Sequence, residues 1–203
     1  MTKTVTTLSL LFFAFLYGCN RGATEVEPVA DVVEPRKKPV YYSDDAFRMA
    51  AYEGKLDIVE RAIESGIEVD CVDASKGHTA LLMAAYNGHA PVVRFLINHD
   101  AKVDARDNEG KTPLIHACSG PFAETAEMLI DAGADVNAAD STEGFTPLMT
   151  AAALGEKEVV ELLLEKNANV ATTDDDGDTA LSHAQNAGHS EIVTLLEKSS
   201  PAP

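Results

Sequence analysis

Residue types able to do chemistry are few in this chain of 203 residues, and along the sequence they do not converge. Of six histidines, His78 and His99 stand 21 residues apart, with no cysteine or carboxylate pattern at the spacing of a metal-ligand set or of a nucleophile and its base. The other four, His89, His116, His183 and His189, fall at fixed places in a repeated phrase, where structure accounts for them. The acidic run Asp174-Asp175-Asp176-Gly177-Asp178 invites a calcium loop. EF-hand spacing, however, puts Thr172 at the first ligand place and His183 at the last, where a glutamate is needed. The run reads as a solvated loop tip. No catalytic residue, metal ligand or cofactor is expected, and the chain is expected not to be an enzyme. A repeat-based hydrolase or metal enzyme is the remote alternative, because a missing motif is not a disproof.

The elements that carry these residues are set by a phrase written four times. It stands as Gly77-His78-Thr79-Ala80-Leu81, Gly110-Lys111-Thr112-Pro113-Leu114, Gly144-Phe145-Thr146-Pro147-Leu148 and Gly177-Asp178-Thr179-Ala180-Leu181. The threonines step by 33, 34 and 33 residues, a period of stacked units that each bury an apolar face only against their neighbours. Threonine at a helix start caps a free N–H, and proline at the first helical place loses nothing by lacking one. A short helix is predicted through Leu81-Leu82 to Asn87, with small Ala84-Ala85 for close packing and Gly88 to end it. A second helix takes its stripe from Val92-Val93, Leu96 and Ile97, and the stripe returns as Val159-Val160, Leu163 and Leu164. Gly66, Asp100, Gly133 and Asn167 follow the second helices, all residue types that tolerate a left-handed backbone. Polar tips such as Asp73-Ala74-Ser75-Lys76-Gly77 return the chain to the next threonine, and the first and third tips are one residue longer than the second and fourth.

These residues resemble the ankyrin repeat. The pattern Thr-Pro-Leu-x-His-Ala is Thr112-Pro113-Leu114-Ile115-His116-Ala117, with weaker copies at Thr79, Thr146 and Thr179. Asn87-Gly88-His89 and Ala187-Gly188-His189 resemble the family's turn between helices, and Ala132-Gly133-Ala134-Asp135-Val136-Asn137-Ala138 its exit from the second helix. In the third unit Ser119-Gly120-Pro121-Phe122 replaces that turn, which reads as a tolerated local repacking rather than a hinge. A fifth copy comes first, with Asp45 to Lys55 lying over Thr79 to His89. The fold class is therefore all-α, an ankyrin solenoid of about five helix-turn-helix units over 43–199: 44–76, 77–109, 110–143, 144–176 and 177–199. Glu197 in the last copy and Arg48 in the first stand where others have Ile or Leu and Leu, Ile or Met, and read as solvent-facing caps. The resemblance implies a concave surface that binds a protein partner through loop tips and first helices. Its candidate residues here are Tyr52, Glu53, Lys76, His78, Tyr86, Asn87, Glu109, Lys111, Glu143, Phe145 and Leu154. Tyr52 and Tyr86 share a register, so they should stand side by side, and Phe145 and Leu154 should add exposed apolar area.

The amino-terminal end carries location. Residues 1–18 read as a signal peptide, with Lys3 followed by Val5 to Leu16, too short for a membrane span of roughly 20 residues. Leu16-Tyr17-Gly18-Cys19 resembles the bacterial lipobox, which implies cleavage before Cys19 and a diacylglyceryl group on its thiol. Residues 19–42 then form the lipidated end and an acidic, proline-bearing tether, and 200–203 a tail. The expected site is the bacterial cell envelope, in the periplasm or at the outer membrane.

With 33 acidic against 16 basic residues the formal charge is -17, which argues against nucleic acid as a partner, since phosphate binding rests on Lys and Arg. A basic or mixed-charge protein fits better. Cys71 and Cys118 read as small fillers in units a whole repeat apart. The chain is thus expected to be a monomeric, envelope-anchored protein-binding module, a scaffold or inhibitor of an exported protein, with a soluble periplasmic or secreted binder as the alternative.

Overall fold

The computed structural model describes residues 41–199. The signal peptide of 1–18, the lipidation site Cys19, the tether to residue 40 and the tail of 200–203 lie outside the described residues. Among the described residues ten helices follow in pairs: α1 (Asp44–Tyr52) and α2 (Leu56–Glu64), α3 (Ala80–Tyr86) and α4 (Ala90–Asn98), α5 (Pro113–Ala117) and α6 (Ala123–Asp131), α7 (Pro147–Leu154) and α8 (Lys157–Glu165), α9 (Ala180–Ala187) and α10 (Ser190–Ser199). No strand occurs among the described residues, and no helix there is long and apolar enough to cross a membrane.

Each pair packs on the next, so first helices form one row, α1·α3·α5·α7·α9, and second helices another. The threonine expectation holds: Thr79, Thr112, Thr146 and Thr179 accept the N–H three residues on, from Leu82, Ile115, Met149 and Ser182. The first unit differs. Its cap is Ser43, which accepts from Ala46, so α1 begins two residues before the register of Asp45 implies. Between the rows, Ala50-Ala51, Ala84-Ala85, Ala117-Cys118 and Ala151-Ala152 are buried and let the first helices approach closely. Val59, Val92-Val93, Leu96, Leu129, Val159-Val160, Leu163 and Ile192 fill the core from the second row, each worth about 1.5–3 kcal/mol of apolar burial. At the helix exits Gly66 and Gly133 take φ of 97°, while Asp100 and Asn167 take 61° and 63°.

One detail departs from the sequence expectations. Arg48 is not a solvent-facing cap. Its side chain is buried, paired along its own helix with Asp45, and Nη1 donates to the Cys71 sulfur at 3.6 Å. Glu197, by contrast, is exposed as expected. In the third unit Phe122 takes the place that imidazoles hold elsewhere. His89 lies against Gly54, with a Cβ there 2.6 Å from the ring, and His189 lies likewise against Gly155; Phe122 lies against Gly88. The altered turn is filled by an aromatic ring, so the middle of the stack is repacked locally.

Candidate functional site

The loop tips are built on one repeated aspartate. Asp73, Asp107, Asp140 and Asp174 each turn a carboxylate oxygen back onto the N–H groups of their own tip. In the two shorter tips the second oxygen is free for the next helix: Nε2 of His116 donates to Oδ2 of Asp107 at 2.8 Å, and Nε2 of His183 to Oδ2 of Asp174 at 2.7 Å. In the longer tips, where Met83 and Thr150 replace that histidine, the carboxylate holds more of the tip itself. Oδ1 of Asp140 accepts from Thr142, Glu143, Gly144 and Phe145, and Asp73 accepts from Ser75, Lys76 and His78. Loop length and the presence of histidine are thus two expressions of one hydrogen-bond requirement. For Asp140, burial opposes the charged form, but the four backbone donors outweigh it and hold the pKa below its ordinary value.

Neighbouring tips are tied together. Backbone N–H groups of Asn108, Ser141 and Asp175 donate to the carbonyls of Lys76, Glu109 and Glu143 in the preceding tip, at 2.8–3.0 Å. Behind them a second ladder runs through Asp70, Asp104 and Asn137, which accept from Lys102, Asp135 and Asn169 one repeat later. These bonds fix the tips as a continuous rim, and the rim with the first helices encloses two adjoining grooves.

The larger groove, of about 630 Å³, is walled by Tyr52, Lys76, His78, Tyr86, Glu109 and Lys111, with Met49, Met83, Asp107 and His116 between them. The Tyr52 and Tyr86 rings lie side by side as their register implies, with centroids 6.5 Å apart and planes 15° from parallel. Both remain exposed, at 37% and 49%, and Met49 beside them is exposed to 49%. Tyr86 meets His116 edge-on at 5.7 Å, and His116 meets His78 edge-on at 6.1 Å, so the row continues into the tip. Burial pushes the pKa of His116 down, against the pull of Asp107. The ion pair with Glu109, 2.7 Å away, raises that of Lys111.

The second groove, of about 550 Å³, shares Tyr86, Glu109, Lys111 and His116 and adds Glu143, Phe145 and Leu154. Leu154 is exposed at 53%. Phe145 is half-buried instead of exposed, because its ring tilts onto His183 at 4.6 Å. Two expected residues line neither groove. Asn87 donates to the Tyr52 carbonyl at 2.7 Å and ties α3 to the preceding unit, and Glu53 pairs with Lys55 at 2.6 Å.

Sequence reasoning passed over Met49, Asp107 and His116. The signal was present in the register, since Met49, Met83, His116 and Thr150 share one repeat position and all line a groove. In the sequence a repeat position accounts for His116. Its contact with His78 joins two repeats, and no spacing within one unit displays it.

A family model described as "Ankyrin repeats (3 copies)" matches residues 47–140 and again 124–201. The human Ankyrin repeat and KH domain-containing protein 1 is 48% identical over 61 residues, 30% of this chain and 2% of that protein. The Drosophila melanogaster Ankyrin repeat and KH domain-containing protein mask is 37% identical over 119 residues, 59% of this chain and 2% of its own length. A mouse Ankyrin repeat, SAM and basic leucine zipper domain-containing protein 1 is 35% identical over 109 residues, 51% of this chain and 22% of that protein. The chain therefore spans under a quarter of the length of these relatives. Paired helices, interlocked tips and a family match over most of the chain agree that it belongs to the ankyrin repeat family, whose repeats serve protein–protein interaction.

Proposed function

We propose that this chain is an envelope-anchored interaction module that captures a protein partner along its concave surface and so scaffolds or inhibits an exported protein. The observation that most supports it is the parallel pair Tyr52 and Tyr86, half exposed on the floor of the larger groove beside Met49. Aromatic anchors in a walled groove dominate interface energies, because they bury much area at little entropic cost. The surplus of acid favours a basic or mixed-charge partner and disfavours nucleic acid. The reading assigns no catalysis.

Crosslinking in intact cells followed by pulldown of the tagged chain identifies the partner. Combined Tyr52→Ala and Tyr86→Ala should lower its affinity at least about 30-fold, as loss of two anchors at about 1 kcal/mol or more each requires, with the helical circular dichroism unchanged. Capture that survives both substitutions rejects the groove as the binding surface. Anchoring has a separate check, the mass of the mature amino terminus. Acylated Cys19 supports the lipid anchor, any other terminus rules it out, and a terminus cleaved elsewhere after the leader favours a soluble exported binder.

A further inference from the structure

We propose that His78, Asp107 and His116 form a binding site for a divalent transition-metal cation of the zinc class, built across the contact between the second and third repeats. One ligand atom from each lies within 4.8 Å of the others. Nε2 of His116 is 2.8 Å from Oδ2 of Asp107, and Nε2 of His78 is 3.8 Å from the same oxygen. A zinc ion with bonds of roughly 2.0–2.2 Å holds tetrahedral ligands about 3.3 Å apart, so the three close on an ion by shifts of about 1.5 Å at most. The ion takes the place of the proton that His116 now shares with Asp107.

The cluster is not what the fold needs at this place. The contact between the fourth and fifth repeats has the same aspartate–histidine pair, Asp174 and His183, but Phe145 stands where His78 would be, and that tip is equally well formed. At the other equivalent positions the chain has Lys111 and Asp178. A second imidazole is therefore a feature of this tip alone among the four. Asp107 is the most suitable centre: its side chain is 3% exposed, and its other oxygen, Oδ1, is held by the N–H groups of Glu109 and Lys111, which fixes the orientation of the carboxylate. Two nitrogens and one oxygen suit zinc, cobalt or nickel, whereas calcium and magnesium require oxygen ligands. The three residues line the larger groove, so the remaining coordination positions face its interior.

The test is titration of the tag-free, chelator-treated chain with Zn²⁺ by calorimetry and with Co²⁺ by visible absorption. The expected result is one high-affinity equivalent, with d–d bands of four- or five-coordinate Co²⁺ and no thiolate charge-transfer band, and no heat with Ca²⁺ or Mg²⁺. His78→Phe, which installs the residue of the fourth repeat, and His116→Ala should each weaken binding at least about 100-fold. His183→Ala should leave it within about twofold. His78→Phe preserves the Asp107–His116 pair and so separates ligand loss from misfolding. Zinc affinity unchanged in His78→Phe, a thiolate band from Cys71, or no binding by the unsubstituted chain overturns the proposal.

Discussion

At the residue scale, the aspartate of each tip carries more of the architecture than the threonine that announces the repeat. The threonine satisfies one N–H, whereas Asp140 satisfies four. Because folding lowers the pKa of Asp140 below its ordinary 3.8, the folded chain holds fewer protons than the unfolded chain just below that value. Its contribution to stability is therefore present above 3.8, is complete well above it, and is lost as the pH falls from there through the lower folded value. Asp140→Asn should cost about 1–2 kcal/mol at pH 6, and the difference from the unsubstituted chain should shrink as the pH falls below 3.8. Chemical denaturation at several pH values measures this, and a variant as stable as the parent at pH 6 contradicts it.

At the element scale, helix pairs meet through glycines that leave room for the next unit's aromatic ring. Gly88 adopts φ of 67°, and a Cβ there would collide with the Phe122 ring. Gly133 adopts φ of 97°, with nothing within 4 Å of a Cβ. Substituting alanine at Gly133 therefore incurs backbone strain alone, about 1 kcal/mol, whereas Gly88→Ala should cost about 2 kcal/mol or more. Phe122→Ala in the Gly88→Ala background should recover part of that loss, a coupling of about 1 kcal/mol in a double-mutant cycle. Additive losses would show that the ring is not what excludes the methyl group. Gly88 and Phe122 belong to adjacent units, so the altered turn of the third unit and the ordinary turn of the second are one packing arrangement.

At the scale of the whole molecule, the described repeats pack chiefly on their neighbours, and stability is a chain of local terms. Ile192, 2% exposed, belongs to α10, which packs on α9 and on α8 of the preceding pair. Ile192→Ala should cost about 2–4 kcal/mol there, with amide exchange accelerated in α9 and α10 and unchanged in α1 to α4. Accelerated exchange throughout would mean the solenoid unfolds as one unit. The grooves lie at the first four repeats, so partner capture should survive this substitution.

The sequence alone determined the repeat count, the four threonine-capped helix starts and the core stripes, because each rests on a local rule repeated about every 33 residues. Asp100 and Asn167 were legible as left-handed exits for the same reason. Only the tertiary structure decided which of the candidate residues face a groove. Asn87 and Glu53 fit the pattern yet are drawn into contacts with Tyr52 and Lys55, while Met49 and Asp107 were missed and line the floor. The meeting of His78 with His116 was least legible of all. It depends on one unit's tip lying over the next unit's helix, and a period read along the chain records the spacing of equivalent residues, not which unlike residues the stack brings together.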